Sequence, residues 1–204
     1  MKPDSEIPKQ LQGESSDIEQ HVDTSTTRQA HSTFVDASRR MLSVNQWQDI
    51  SGPMSAAFQL TDEHGQELDR VARPGDYIRI NLPGPGTATG HGYDWVRIES
   101  IDDKTNPAGE RESLTMRVRP TSNPANSETD TAHFFKEAAT STFMIERNEL
   151  RVTASVHGRN EMPNKDVERT TDKLRNTVFA KVATAGMGAY QWGLLTEGIL
   201  KGLA

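Results

Sequence analysis

The sequence contains no cysteine, so neither disulfide bonds nor thiolate metal ligands can contribute to the fold. It also lacks any run approaching the roughly 18 apolar residues of a membrane span, and its first residues lead into no apolar segment of a secretory signal. These absences favour a soluble, cytoplasmic protein. Hydrophobic residues make up 33% of the 204 residues, below the usual globular fraction, and the shortfall lies largely near the N-terminus.

Residues 1–30 are poor in apolar side chains and rich in Ser, Thr, Gln, Asp and Glu. Three basic and six acidic residues give this segment a formal charge of −3, which is half of the −6 carried by the whole chain. A segment of this kind cannot bury enough apolar surface to order itself. We therefore predict a disordered acidic tail over residues 1–30 and a single α+β domain over residues 31–204. The acidic tail also argues against nucleic acid as a partner.

Known catalytic and cofactor motifs are absent as well. The glycine- and proline-rich loop over residues 83–92 is followed by no Gly-Lys-Ser/Thr, and its spacing does not fit a dinucleotide fingerprint. No His-Glu-x-x-His pattern supports a metal site, and no Gly-x-Ser-x-Gly elbow supports a nucleophilic serine. The sequence therefore predicts no catalytic residues, no metal and no cofactor.

Alternation of apolar and polar residues is the strongest pattern in the chain. It runs through residues 77–82, 95–99, 114–119 and 150–154 with the period of a strand that buries one face. Arginines occupy the polar positions of these segments. The pattern predicts an antiparallel sheet with one dry face and one polar, arginine-bearing face.

The arginine-bearing face admits more than one interpretation. Residues 55–160 contain ten arginines, two lysines and sixteen acidic residues. Cross-strand ion pairs on a solvated face explain this balance most simply, whereas an anionic ligand or a partner surface is the alternative. A further interpretation is that the acidic tail folds back across this face.

Helical spacing of apolar residues predicts a helix near residues 33–49 and a long C-terminal helix from about Asn164. Residues 56–60 and 67–71 flank a turn-forming cluster and are predicted to form a hairpin. With the remaining strand-like segments, the fold class is α+β. It comprises a curled antiparallel sheet of about seven strands, an N-terminal helix, and a long C-terminal helix packed on the apolar face of the sheet.

This order of elements resembles the helix-grip folds of START-like and Bet v 1-like ligand-binding proteins. Those families begin with a strand followed by two helices, whereas this sequence is predicted to begin with a helix. The resemblance implies a cavity between the sheet and the terminal helix. A partly closed β-barrel with helical flanks is the alternative architecture.

The leading functional hypothesis is a non-enzymatic binding module for a small apolar or amphipathic ligand, with or without an anionic group. Such pockets are mainly apolar with a few polar anchors. The loop over residues 83–92 is predicted to gate entry through the backbone freedom of its glycines, which are Gly84, Gly86, Gly90 and Gly92. The predicted ligand-binding residues are Trp95, Arg97, His157, Arg159 and Glu161.

Two other functions remain open at this point. The C-terminal helix is more apolar than one buried face requires, which favours a protein partner or self-association as the second hypothesis. A hydrolase or isomerase that uses His157 or Glu161 is the third.

Overall fold

Seven strands and three helices make up the part of the chain that the structure describes. This computed structural model describes residues 6–53, 55–81, 93–125, 137–162 and 188–203. The elements are β1 (Glu14–Asp23), α1 (Thr27–Leu42), a 3-10 turn (Val44–Gln46), α2 (Trp47–Ser51), β2 (Ala57–Thr61), β3 (Tyr77–Asn81), β4 (Asp94–Asp103), β5 (Arg111–Pro120), β6 (Thr140–Asn148), β7 (Arg151–Glu161) and α3 (Gly188–Leu200).

All seven strands belong to one antiparallel sheet in the order β1-β7-β6-β5-β4-β3-β2. Within the described residues β1 and β2 are the two edges and do not pair with each other, so the sheet is open. The architecture is therefore the helix-grip arrangement and not the partly closed barrel.

The two faces of the sheet differ as the alternation predicts. Phe143 and Val156 are paired in register on what we call the inner face, and they belong to the buried core together with Phe34 of α1 and Leu195 of α3. The opposite, outer face bears most of the strand arginines. One dry face and one arginine-bearing face follow directly from the period of two along each strand.

The predicted helix over residues 33–49 is divided into α1 and α2. Helix α1 begins earlier, where the Thr26 hydroxyl accepts a hydrogen bond from Gln29 N at 3.2 Å and caps the first turn. It ends at Leu42 because Ser43 leaves the helical conformation, with φ −86° and ψ 65°. The predicted start of the C-terminal helix at Asn164 lies outside the described residues, which resume at the first residue of α3.

The N-terminal segment corrects the expectation of a disordered tail for residues 14–30. Residues 14–23 form β1, in which Ile18 and Val22 face Val156 and Val152 of β7. Because β1 is an edge strand, it is held by backbone hydrogen bonds to β7 on one side and by the burial of only these two apolar side chains. Because α1 and α2 follow β1, the chain has the strand–helix–helix start of a helix-grip fold after all.

The predicted hairpin over residues 56–60 and 67–71 is also corrected. Strand β2 pairs with β3, and residues 67–71 contribute only an isolated bridge between Thr61 and Glu67. The predicted number of strands is therefore right, although β1 takes the place of the segment at 67–71.

Candidate ligand-binding site

Four aromatic side chains meet between the inner face of the sheet and the helices. Trp47 of α2 lies with its ring centroid 5.1 Å from those of Phe58 and Phe143. Trp192 of α3 lies 5.2 Å from Phe143 and 6.1 Å from Phe58. Edge-to-face and tilted contacts at these distances are favourable for aromatic rings. The cluster fixes α2 and α3 against the sheet.

A pocket opens beside this aromatic cluster. Its remaining lining comes from strands β3 to β6 and the residue before β6, and consists of Ile78, Ile80, Val96, Val118, Pro120, Ala139 and Ser141. The cavity volume is about 20 Å³, which is enough for about one water molecule.

The sequence places these side chains in the pocket through strand alternation. Ile78 and Ile80 are two residues apart on β3, as are Ser141 and Phe143 on β6, so each pair points to the same face. In the described part of the chain, the lining is apolar apart from the Ser141 hydroxyl. This is the composition expected of a site for a mainly apolar molecule.

The five predicted ligand-binding residues lie away from this pocket. Trp95 and Arg97 are on the outer face of β4, whereas His157 and Arg159 are on the outer face of β7 and Glu161 ends that strand. Strands β5 and β6 separate the two groups, a distance of about 14 Å at the usual strand spacing. The structure brings together His157 and Arg159 but does not bring them to Trp95 and Arg97, and the carboxyl of Glu161 lies beside Ser16 and Gly158 on the inner face. The glycines of the predicted gate lie outside the described residues.

His157 and Arg159 both contact Asp17 of the neighbouring strand β1. His157 Nδ1 lies 2.6 Å from Asp17 Oδ1, and Arg159 Nη2 donates to the same oxygen at 2.7 Å. Burial alone would raise the pKa of Asp17, but the hydrogen bonds from His157 and Arg159 hold it below its usual range. The Asp17 carboxylate is therefore ionised at neutral pH.

Glu161 has the opposite electrostatic setting. Burial raises the pKa of this carboxyl, and the Ser16 hydroxyl, which donates to Oε1 at 3.3 Å, only partly opposes the shift.

Asn160, the residue before Glu161, adopts a left-handed φ of 56°, and its Oδ1 accepts hydrogen bonds from the backbone of Leu11 and Gln12 at 2.7 and 3.2 Å. Asn160 thus satisfies backbone groups of the N-terminal segment.

Ion pairs account for much of the arginine-bearing face. Glu99 accepts from Arg117 Nε at 3.0 Å and from Arg119 Nε at 2.5 Å. Burial tends to raise the pKa of Glu99, and the two arginines lower it further than burial raises it. Arg79 pairs with Glu67 in the same way. The cross-strand ion-pair interpretation therefore holds for these residues.

The N-terminal residues also reach the outer face. The Thr115 hydroxyl of β5 donates to Glu6 at 2.5 Å, and Lys104 forms an ion pair with the same carboxylate. At the far end of the segment, Gln10 Oε1 accepts from Asn160 N at 2.9 Å. Residues 6–12 thus run from β5 to the end of β7, which matches the interpretation that the acidic segment folds back across this face.

Sequence reasoning missed a buried charged cluster on the inner face. Arg147 pairs with Glu112, and both side chains are completely buried. His31 Nδ1 of α1 lies 2.9 Å from Glu112 Oε2, and Asn106 N donates to Glu112 Oε1 at 2.9 Å. The alternation along β6 could have revealed this cluster. Phe143, Ile145 and Arg147 are spaced two apart, so Arg147 points to the same buried face as the two apolar residues.

The described residues contain no group of three potential metal ligands, and no described helix is long and apolar enough to cross a membrane. No protein-family model matches the sequence, and no curated protein matches it.

Several solved structures are similar to the chain as a whole. A hypothetical protein from Helicobacter pylori matches with a TM-score of 0.47 and 11% identity over 97% of this chain and 95% of that chain. A point mutant of norcoclaurine synthase from Thalictrum flavum has a TM-score of 0.41 and 9% identity, covering 96% and 100%. Major latex-like protein 151 from Panax ginseng has a TM-score of 0.37 and 15% identity, covering 85% and 97%.

These neighbours include helix-grip proteins of the Bet v 1-like kind. Their scores lie below 0.5, so the assignment rests on the strand order and helix placement of this chain itself. On that basis the chain is a helix-grip-like α+β protein.

Proposed function

We propose that the pocket of this protein is a non-enzymatic binding site, which holds a small apolar or amphipathic molecule between the sheet and α3. The observation that carries the proposal is the pocket beside Trp47, Phe143 and Trp192, whose lining is apolar except for Ser141. A ligand body there would gain free energy by leaving water, and the single hydroxyl would orient it.

The enclosed space of about 20 Å³ is much smaller than a ligand of ordinary size requires. Binding therefore requires a side chain of the lining to move. Trp192 is suited to this because it is half-buried and lines the pocket, where its ring packs against Phe58 and Phe143. Rotation of this indole would enlarge the pocket.

The pocket lining also constrains the ligand charge. None of the described residues that line it is charged, and Arg97 and Arg159, two of the predicted ligand-binding residues, lie on the outer face. A carboxylate inside such an apolar lining would lose its hydration without an ionic partner. We therefore expect a neutral molecule, or an amphipathic one whose polar end stays at the mouth.

Titration with the neutral dye Nile red tests the proposal. Its fluorescence should saturate at one dye per chain, and a neutral long-chain alcohol should displace it. Ala139→Leu adds bulk to the lining and should weaken binding by about 10-fold or more. Ala125→Leu makes the same change at an exposed site and should leave binding unchanged. Non-saturating fluorescence, or equal binding by the two variants, would rule out this pocket.

The second candidate function is a protein-interaction or assembly role for α3. Much of the apolar excess of this helix is used within the chain, since Leu195, Ile199 and Leu200 are buried in the core. Tyr190, which is 53% exposed, remains available at the start of the helix. A protein partner that buries Tyr190 would show this role, and Tyr190→Ser should then abolish its binding without altering the uptake of Nile red.

A further inference from the structure

Three side chains on the outer face form a continuous chain of two hydrogen bonds. Ser155 and His157 are two residues apart on β7 and so share a face, while Asp17 is the register partner of His157 on β1. His157 Nδ1 lies 2.6 Å from Asp17 Oδ1, and His157 Nε2 lies 3.0 Å from Ser155 Oγ. A hydroxyl, an imidazole and a carboxylate therefore follow one another within hydrogen-bond distance.

The carboxylate determines which nitrogen of the imidazole carries the proton. Asp17 is ionised at neutral pH, since hydrogen bonds from His157 and Arg159 hold its pKa low despite the opposing effect of burial. An ionised carboxylate can only accept, so Nδ1–H donates to it. In the neutral imidazole Nε2 is then an acceptor, and it receives the hydrogen of the Ser155 hydroxyl. A general base requires this tautomer of the neutral imidazole.

The geometry points to an acyl-transfer site in which Ser155 is the nucleophile, His157 the general base and Asp17 a positioning residue. Ser155 is only 4% exposed, so an ester reaches its hydroxyl only when the side chains that cover it move aside, and a short acyl group requires the smallest movement. The substrate class is an activated ester of a short carboxylic acid. The site lies on the opposite face of the sheet from the pocket, so it is independent of the proposed ligand binding.

In this mechanism the donor for the developing oxyanion is the hydroxyl of Thr142 on the adjacent strand β6. Thr142 is the register partner of His157, and its buried hydroxyl has no hydrogen-bond partner among the described residues. A carbonyl oxygen that gains negative charge beside Ser155 could accept this hydrogen. Such a donor stabilises a tetrahedral intermediate more than the ground state.

The reaction balances without any further reagent except water. Ser155 Oγ attacks the ester carbonyl carbon while His157 Nε2 takes the hydroxyl proton. The tetrahedral intermediate expels the alcohol, which leaves with the proton from His157, and an acyl-serine remains. Water then attacks the acyl carbon by the same proton route, which releases the acid and restores the Ser155 hydroxyl.

Covalent labelling of the full chain tests this assignment. A small fluorophosphonate should add one label per chain, and peptide mapping by mass spectrometry should locate it on Ser155. Ser155→Ala should abolish the label. Ser113→Ala, which removes a less buried outer-face serine that bonds to none of the described histidines, should leave the label unchanged. A label elsewhere, or none at all, would overturn the proposal.

Variants of the other two residues separate chemistry from structure. His157→Gln should slow labelling by about 100-fold, the usual contribution of general base catalysis. Asp17→Asn should slow it by at least about 10-fold, because the neutral amide no longer fixes the tautomer. Near-ultraviolet circular dichroism shows whether each variant remains folded. If folded His157→Gln labels Ser155 at the wild-type rate, the hydrogen-bonded chain is structural and the proposal is wrong.

Discussion

Glu112 and Arg147 form an ion pair whose side chains are both completely buried. Replacing Glu112 by Gln leaves the Arg147 guanidinium without its charge partner in the protein interior. We expect a loss of about 3–5 kcal/mol in the free energy of unfolding, measured in urea, because the desolvation of the remaining charge is no longer compensated.

Glu99→Gln is the matched control for this prediction. Glu99 also pairs with arginines, but on the partly exposed outer face, where water already screens the charges. Its loss should cost about 1 kcal/mol or less. If the two variants lose the same free energy of unfolding, burial does not make the Glu112–Arg147 pair more important for stability than the pairs of Glu99.

The same carboxyl should make stability depend on pH. Burial alone would raise the pKa of Glu112, but hydrogen bonds from His31 and Arg147 outweigh it and hold the pKa below its ordinary value of 4.5. The folded state therefore binds this proton less tightly than the unfolded chain does. Its stabilisation is complete above pH 4.5 and is lost as the pH falls further. Urea midpoints measured from pH 6 to pH 3 should fall less steeply for Glu112→Gln than for the wild type.

The face of the sheet on which a residue lies could be predicted from sequence, but the residue that it contacts could not. Arg117 and Arg119 lie on the outer face as the alternation predicts, because side-chain direction is a local property of a strand. Their common partner Glu99 sits at an irregularity in the register between β4 and β5. The contact of Asp17 with His157 likewise depends on the long-range pairing of β1 with β7. No local pattern contains that information.

At the scale of the element, two of the three glycines of α3 have opposite surroundings. A Cβ at Gly198 would overlap the carbonyl of Ile50 at the end of α2, whereas a Cβ at Gly193 would meet nothing within 4 Å. Gly198→Ala should therefore destabilise the protein, since a backbone carbonyl cannot move aside cheaply. Gly193→Ala should stabilise it by about 0.5–1 kcal/mol through helix propensity.

Urea unfolding of the two single variants checks this pair. Each is the control for the other, because the chemical change and the helix are the same. If both substitutions stabilise the protein, α2 and α3 are not in backbone contact.

Strand β1 provides a second prediction at this scale. Deleting residues 1–25 removes the pairing with β7 and exposes the inner-face neighbours of Ile18 and Val22. We expect a loss of about 3 kcal/mol or more, which for a chain of this size lowers the thermal midpoint by roughly 6–12 °C. Deleting residues 1–13 keeps β1 and should cost clearly less. An unchanged midpoint after the longer deletion would restore the expectation of a dispensable tail.

Elements with strong periodicity were predictable, and β1 was not. Strand β3 alternates over its whole length and β5 alternates over residues 114–119, so local sequence indicates them. The inner face of β1 carries two apolar residues, Ile18 and Val22, but its other inner-face positions are Ser16 and Gln20. The alternation of apolar and polar residues is therefore weak, and the sequence of β1 resembles that of a polar tail. Pairing with β7 compensates for this weakness, and such tertiary stabilisation is invisible to a local reading.

For the molecule as a whole, the apolar face of the sheet and the helices above it could be anticipated, whereas the size of the pocket could not. The enclosed space depends on how four aromatic rings from α2, β2, β6 and α3 pack together. Spacing in the sequence identifies such side chains as buried. It does not decide whether their packing leaves about 20 Å³ or several hundred.

An open sheet has two edges, and both are protected against pairing with another copy. At the β2 edge, Leu60 N donates to Asn45 Oδ1 at 2.7 Å and Leu60 O accepts from Leu68 N at 2.9 Å, so these groups are already used. The β1 edge is rich in acidic residues, and antiparallel pairing of two copies would bring like charges together. We therefore expect a monomer.

Light scattering over a wide range of protein concentrations should give the mass of one chain at low salt. Removing two charges from the β1 edge with Glu14→Gln and Glu19→Gln should make the mass rise with concentration, because the repulsion that opposes strand pairing is reduced. Adding salt to the wild type should act in the same direction but more weakly, since screening weakens the repulsion without removing it. A stable dimer of the wild type at low salt would contradict edge protection, and would favour an assembly role for the apolar residues of α3.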